Sequence, residues 1–280
     1  MPISDTHLMM QGASSGIIPV TLAELITDTG ITADLILDAG DASSYNGSSQ
    51  TWTDLSGSGN HWYRGTSSGS DSTDPTFVGV SGDLSSYFSF DGGDYFTLVS
   101  GSNPAVFQTF HKDNAKLEMG CLIYIPALSN ASGAMFTTRA SANEVGFDFH
   151  PFEYQGGDDY KNNIIVKNGT GNAISSNAPS TPIASGAWHY IGFQLDEALG
   201  ASGGFVYLDN ALWDTFDATY ISPSASSASG TALLGAYQTT SAPAIQAVGM
   251  RIACFFINSG TLMTADDHYT IGANLMARFA

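Results

Sequence analysis

Basic residues are scarce in this chain of 280 residues. Lysine and arginine together number 8, against 26 aspartates and glutamates, so the formal net charge is −18. Nucleic acids and anionic membrane surfaces both need a basic footprint on the protein that binds them. We therefore expect no nucleic acid and no membrane among the partners. Acidity of this degree is compatible with cation binding or simply with solubility in a salty medium.

Glutamate is scarce as well, since only five of the acidic residues are glutamate and the rest are aspartate. Aspartate disfavours helix interiors and favours turns, because its short side chain hydrogen-bonds to nearby backbone amides. Charged residues make up only 12% of the chain, while glycine alone contributes 31 residues. This composition is typical of a β-protein with many turns and a neutral polar surface.

Cysteines and long apolar runs are also few. Cys121 and Cys254 are the two cysteines, and both lie in apolar runs. They are predicted to be reduced core thiols, with a bridge between their two strands as the alternative. No apolar run reaches the ~18 residues of a membrane span, and the start, MPISDTH, lacks the positive region of an export signal. We therefore expect a soluble protein made in the cytoplasm without a signal peptide.

Residues 1–33 differ from the rest of the chain. GASSGIIPV is typical of an extended arm, and Thr21 with Glu24 three positions later forms a capping-box pattern. This pattern predicts a short helix from about Leu22 to Asp28, ended by Gly30. Thr264 is a suitable N-cap for a second helix that reaches about residue 277. The predicted organisation is an N-terminal arm at 1–33 and one domain at 34–280.

From residue 33 onward, short apolar runs are separated by turn residues, which predicts about ten strands. Several runs alternate, such as Met250, Ile252, Cys254 and Phe256, so we expect each to turn one face to a core. The clusters at 64–75, 168–182 and 222–230 are predicted loops. The pattern indicates an all-β fold, an antiparallel β-sandwich. The predicted strands are 33–39, 86–92, 95–99, 116–126, 144–150, 163–167, 188–196, 204–210, 232–237 and 249–258.

A series of segments in this order resembles the laminin-G-like, concanavalin A-like jelly roll of lectins and glucanases. Asn210 departs from the glycine usual in one hairpin of that family, and Asp266-Asp267 replaces the glutamate of its closing turn. Both residue types tolerate turns, so the fold expectation stands. The segments are LDAG (37–40), SYNG (44–47), TWTDLSGSGN (51–60), FSFDGGDYF (88–96), LEMGCLIYIP (117–126), WHYIGFQLD (188–196), GGFVYLDN (203–210), VGMRIACFFIN (248–258) and LMTADDHY (262–269).

The combination of these segments with a short arm is similar to single-domain proteins of tailed-phage virions. In that family the domain is displayed on the capsid or tail, and the arm attaches it. The resemblance implies a virion structural protein that contacts other virion proteins through residues 1–33 and forms a homo-oligomer on the particle. A lectin-like module that recognises host or environmental glycans is the alternative function.

Patterns for catalysis are weak. Glucanases of this fold carry paired carboxylates as E-x-D-x-E on one strand face, and no two glutamates here lie within five residues of each other. The two G-x-S-x-G matches, at 12–16 and 65–69, lack the strand and helix that flank a nucleophile elbow. The six histidines show no zinc-binding spacing. We therefore expect a protein that is not an enzyme.

A calcium ion is the one cofactor that the sequence suggests. Asp54, Ser56 and Ser58 match the first positions of a calcium loop, but Gly65 stands where a bidentate glutamate is needed. The family resemblance implies instead a calcium at the rim of the sandwich, for which Asp54, Asp91 and Asp94 are candidates. The alternative is that each carboxylate caps a turn.

Glycan binding needs aromatic platforms with polar neighbours in a concave site. Trp62, Trp213, Tyr154 and Tyr160 lie in predicted loops and are the candidates for such platforms.

Overall fold

The fold is described by a computed structural model covering residues 17–127, 132–141, 143–156, 159–178, 182–238, 243–244 and 248–280. Within these ranges, 154–156, 159–160, 175–178, 238 and 243–244 are described by their backbone alone. Two antiparallel sheets of eight strands each face each other, which confirms the predicted all-β sandwich of jelly-roll type. A two-stranded ribbon, β16 (Tyr237–Gln238) with β17 (Pro243–Ala244), is separate from both sheets.

Sheet A has the strand order β14-β13-β12-β7-β18-β5-β4, and β1 pairs with β18 beside β5. Its long strands are rich in Ile, Phe and Leu and are buried along most of their length, as expected of strands covered on both faces. The bounds are β1 (Leu35–Asp38), β4 (Thr76–Val78), β5 (Tyr87–Ser89), β7 (Lys116–Ile125), β12 (Ala187–Asp196), β13 (Gly204–Leu208), β14 (Ala211–Phe216) and β18 (Arg251–Asn258).

Sheet B has the strand order β11-β10-β9-β8-β15-β6-β3-β2. Strand β11 lies inside the predicted loop 168–182, so that loop prediction is wrong in part. The segment NAISSNA carries small polar residues in place of an apolar stripe, because it forms the edge of the sheet. The bounds are β2 (Thr51–Trp52), β3 (Trp62–Arg64), β6 (Phe96–Leu98), β8 (Phe136–Thr137), β9 (Gly146–Gly156), β10 (Asp159–Lys167), β11 (Asn172–Ala178) and β15 (Leu233–Leu234).

The main core lies between the sheets, and a second apolar cluster lies on the outer face of sheet A. The prediction that the alternating residues of β18 share one buried face is wrong. A register shift between Ile252 and Cys254 interrupts the alternation. Met250 and Ile252 therefore face the main core, whereas Cys254 and Phe256 face the second cluster.

Both cysteines are buried free thiols, as predicted. Cys121 belongs to the main core and Cys254 to the second cluster, so the two side chains lie on opposite faces of sheet A. Burial raises the pKa of both thiols.

Two helices cover the outer face of sheet A. Helix α1 (Leu22–Thr29) begins at the capping box of Thr21 and Glu24 and ends at Gly30, and α2 (Ala265–Met276) begins at Thr264. Both match the sequence prediction within a residue or two. Leu22, Leu25 and Ile26 of α1 are buried in the second cluster. This part of the predicted arm is thus packed on the body, and residues 1–16 lie outside the described residues. Within the described ranges, no helix is long and apolar enough to cross a membrane.

Candidate functional site

The outer face of sheet B carries a cluster of polar side chains. On β9, Phe147 and Phe149 point into the main core, so Asp148 and His150 between and after them point to the opposite face. Asn163 of β10 lies directly opposite His150 in the antiparallel register. Both α-helices pack on the other sheet, so this face of sheet B is the one without helical cover among the described elements.

Asp148 is the fully buried anion of the cluster, with no exposed surface. One of its oxygens accepts a hydrogen bond from Thr137 Oγ1 at 2.5 Å, and the other pairs with the Arg139 guanidinium. Burial lowers the pKa of Arg139 to about 10, so the guanidinium remains charged near neutral pH. An ion pair so deeply buried fixes the positions of both side chains beside His150.

His150 lies beside this ion pair, with 6% of its surface exposed. Its Nε2 is 3.6 Å from Asp148 Oδ2, and among the described residues neither ring nitrogen has a hydrogen-bond partner. Burial lowers the pKa of His150 to about 4, so the imidazole is neutral at pH 7 and offers one donor and one acceptor. The ring of Tyr237 lies 6.0 Å away, tilted by 36°.

Asn163 completes the cluster and is 4% exposed. Its amide nitrogen donates to Glu153, while its Oδ1 is buried without a partner in the described part of the chain. Ile165 and Lys167 follow on the same face of β10 and are half-buried, so the cluster borders solvent at this end. We name Thr137, Arg139, Asp148, His150, Glu153, Asn163 and Tyr237 the His150 cluster.

Two of the four predicted aromatic platforms, Trp62 and Trp213, lie in different sheets. The prediction that Trp62 forms a platform for a glycan is wrong, because its side chain is fully buried in β3. It lies directly opposite Trp52 of β2. Trp213 is half-buried on β14 and packs against the main core. Tyr154 and Tyr160 face each other on β9 and β10, two strands of the His150 cluster, but their side chains lie outside the described residues.

The calcium candidates also have other roles. The Asp54 carboxylate is 5% exposed and accepts hydrogen bonds from the backbone amides of Ile36, Ser56 and Asn60 and from Ser56 Oγ. It therefore acts as a turn cap, the alternative that the sequence left open.

Asp91 and Asp94 contact one another, since the Asp91 amide donates to Asp94 Oδ2 at 2.7 Å. Within the described ranges, no group of three His, Cys, Asp or Glu side chains is arranged to hold a metal ion, so the three candidates form no common site.

The His150 cluster was not identified from the sequence, although a signal for it was present. Val145, Phe147 and Phe149 are apolar at every second position, which indicates an inward face and leaves Asp148 and His150 on the outer face. What the sequence could not show is that Arg139, which follows β8, and Asn163 of β10 lie next to them.

Comparison with known proteins shows the fold and nothing narrower. No protein-family model matches the chain, and no curated protein matches it. Domain 4 of a GH43 extracellular arabinanase from Geobacillus stearothermophilus, in complex with arabinotriose, superposes with a TM-score of 0.56 at 13% identity, over 86% of this chain and 98% of that domain.

The botulinum neurotoxin serotype D binding domain gives a TM-score of 0.54 at 12% identity, over 86% of this chain and 50% of that one. A mutant of Trypanosoma rangeli sialidase that displays trans-sialidase activity gives 0.52 at 11% identity, over 91% of this chain and 38% of that one. The chain therefore shares the lectin-like β-sandwich fold of these modules.

Proposed function

We propose that this protein is a carbohydrate-binding module without catalytic activity, and that the His150 cluster contacts the glycan. One observation carries the proposal. His150 and Asn163 are more than nine-tenths buried, yet they leave three hydrogen-bonding atoms without partners in the described part of the chain. Buried polar atoms are nearly always satisfied, so unsatisfied ones at the border of a surface indicate a bound water or ligand.

The chemistry of the cluster suits a sugar. Hydroxyl groups both donate and accept, and here a neutral imidazole, an amide oxygen, a carboxylate and a guanidinium lie side by side. The Tyr237 ring adds an apolar face at the edge of these groups. The likeness of the fold to a domain crystallised with arabinotriose supports the choice of ligand class.

The arrangement of carboxylates supports binding over hydrolysis. A retaining glycosidase needs one free carboxylate nucleophile and one carboxylic acid about 5–5.5 Å apart. Asp148 is committed to Arg139 and Thr137, and Glu153 accepts a hydrogen bond from Asn163. Both oxygens of Asp148 are thus engaged, so the cluster lacks the second free carboxylate that such a pair needs.

Calorimetric titration with arabinotriose, together with a glycan array, tests the proposal. His150→Ala and Asn163→Ala should each weaken glycan binding about tenfold or more, because each removes a buried hydrogen-bonding group worth roughly 1–3 kcal/mol. Affinity should be constant from pH 6 to 8, since burial lowers the pKa of His150 to about 4.

Trp213→Ala is the control, because Trp213 lies on the other sheet and was one of the aromatic candidates from the sequence. Loss of binding in Trp213→Ala with full binding in His150→Ala would move the site away from sheet B. Absence of binding to every glycan on the array would refute the carbohydrate function, provided circular dichroism shows a folded protein.

Display on a phage virion is the second candidate function. It is favoured by the order of the jelly-roll segments and by the chain that precedes the sandwich. In this hypothesis residues before Ile17 attach the domain to other virion proteins, whereas α1 belongs to the displayed body. Co-expression with virion proteins and sedimentation of particles, with and without residues 1–16, would test it, and equal incorporation of both forms would contradict the attachment role.

A further inference from the structure

A groove separates the two helices on the outer face of sheet A. Its volume is about 650 Å³, within the range of ligand-binding clefts. Leu25 of α1 and Ile271 of α2 form an apolar floor and are 5% and 1% exposed. Val20 and Ile18, from the chain that leads into α1, line the groove as well.

An exposed apolar side chain marks the open edge of the groove. Ile18, one of the lining residues, is 72% exposed, the largest exposed fraction among the large apolar side chains of the described residues. Exposed aliphatic residues that continue an apolar floor indicate a surface that a partner covers.

The rim is acidic. Glu24, Asp28 and Asp267 line the groove, and no lysine or arginine is among its described lining residues. Asp28 lies in the last turn of α1, where the negative end of the helix dipole disfavours a carboxylate by roughly 0.3–1 kcal/mol. The stability of α1 therefore does not explain an aspartate at position 28. A cationic partner that binds in the groove would explain it.

We propose that this groove docks a basic amphipathic helix of a partner protein, independently of glycan binding at the His150 cluster. A third helix laid between two others inserts its apolar ridge into the floor, and lysines or arginines beside that ridge reach the acidic rim.

Other occupants fit the groove less well. A second copy of this chain would bring two acidic rims together, and like charges across an interface disfavour association. A glycan would meet no aromatic ring among the described lining residues.

Isoleucine and leucine methyl NMR on the full chain tests the proposal. The probe is a synthetic helix of about 14 residues with leucines at positions i, i+3, i+4 and i+7 and lysines elsewhere. A peptide with glutamate in place of each lysine, and a scrambled leucine–lysine peptide, are the peptide controls. We expect the basic amphipathic peptide to shift the methyl signals of Ile18, Leu25 and Ile271, and both control peptides to leave them unchanged.

Two exposed groove residues allow matched variants. Ile18→Ser and Asp28→Lys should each weaken binding of the basic peptide about tenfold. Ile221→Ser and Asp113→Lys make the same changes at exposed positions outside the groove and should leave the affinity unchanged.

Equal weakening by Asp28→Lys and Asp113→Lys would show nonspecific charge attraction and overturn the proposal. The proposal would also be overturned if the basic peptide left the methyl signals of Ile18, Leu25 and Ile271 unchanged. That result would mean either that the first residues of the chain fill the groove or that no basic helix fits it. Concentration-dependent dimerisation that Ile18→Ser abolishes would assign the groove to a second copy instead.

Discussion

At the scale of single residues, Asp94 is a carboxyl whose ionisation opposes folding. It is 4% exposed, and burial raises its pKa to about 6, helped by the negative charges of Asp91 and Asp74. The folded protein therefore holds this proton more tightly than the unfolded chain does. Asp94 leaves the free energy of unfolding unchanged below pH 3.8. Between pH 3.8 and about 6 its ionisation lowers the free energy of unfolding, and above about pH 6 this loss stays constant.

Asp94→Asn should remove this pH dependence while keeping an acceptor for the Asp91 amide. We expect the free energy of unfolding in urea to be higher for the variant than for the natural protein at pH 7. The difference should shrink as the pH is lowered to about 4. A difference of the same size at every pH would mean that the charge of Asp94 plays no part.

Asp54 shows how far a residue's role can be predicted from its neighbours in the chain. The density of oxygen atoms around it suggested a metal loop, whereas the single carboxylate and Gly65 favoured a turn cap. Its bond to the Ile36 amide, 18 positions away, decided between them. This long-range partner uses an oxygen that a cation would otherwise need, and no local pattern could have indicated it.

At the scale of elements, the bounds of helix α1 were predicted correctly, whereas the surface on which it packs was left open by the sequence. The capping box and Gly30 are local signals, so the helix bounds could be derived from sequence. The packing of α1 on sheet A depends on a surface formed by distant strands. The predicted domain boundary at residue 33 would therefore divide the second apolar cluster.

A pair of truncations tests whether α1 belongs to the body. Removal of residues 1–33 should destabilise the protein by about 4 kcal/mol or more relative to removal of residues 1–16, because three buried apolar side chains are worth roughly 1.5–3 kcal/mol each. Urea unfolding followed by tryptophan fluorescence measures the difference. Equal stabilities would support the boundary at 33 that the sequence suggested.

At the scale of the whole molecule, one buried ion pair joins the two ends of the described chain. Arg278 donates to both oxygens of Asp38 at 2.9 Å and to the Val20 carbonyl at 2.7 Å. The same carboxylate accepts from the backbone amides of Leu22 and Gly40. The buried carboxylate of Asp38 thus connects β1, the start of α1 and the last residues of the chain.

Arg278→Met should destabilise the protein by about 3–5 kcal/mol, because it leaves the Asp38 charge buried and unpaired. Arg251→Met is the matched control. Arg251 is half-buried over the Tyr124 ring at 4.4 Å, and its loss should cost about 1 kcal/mol. Urea unfolding of both variants gives the comparison, and equal costs would show that the buried pair contributes no more than a surface contact.

The sequence by itself determined the fold class, the two helices and many of the turn positions of this protein. Each of these depends on spacing, capping and turn residues within about ten positions of one another. Only the tertiary structure decided which faces are buried and where polar groups meet. Trp62 became a core residue through its pairing with Trp52. Arg139, which follows β8, came together with Asp148 of β9 and Asn163 of β10, because register and sheet packing are set by contacts between distant segments.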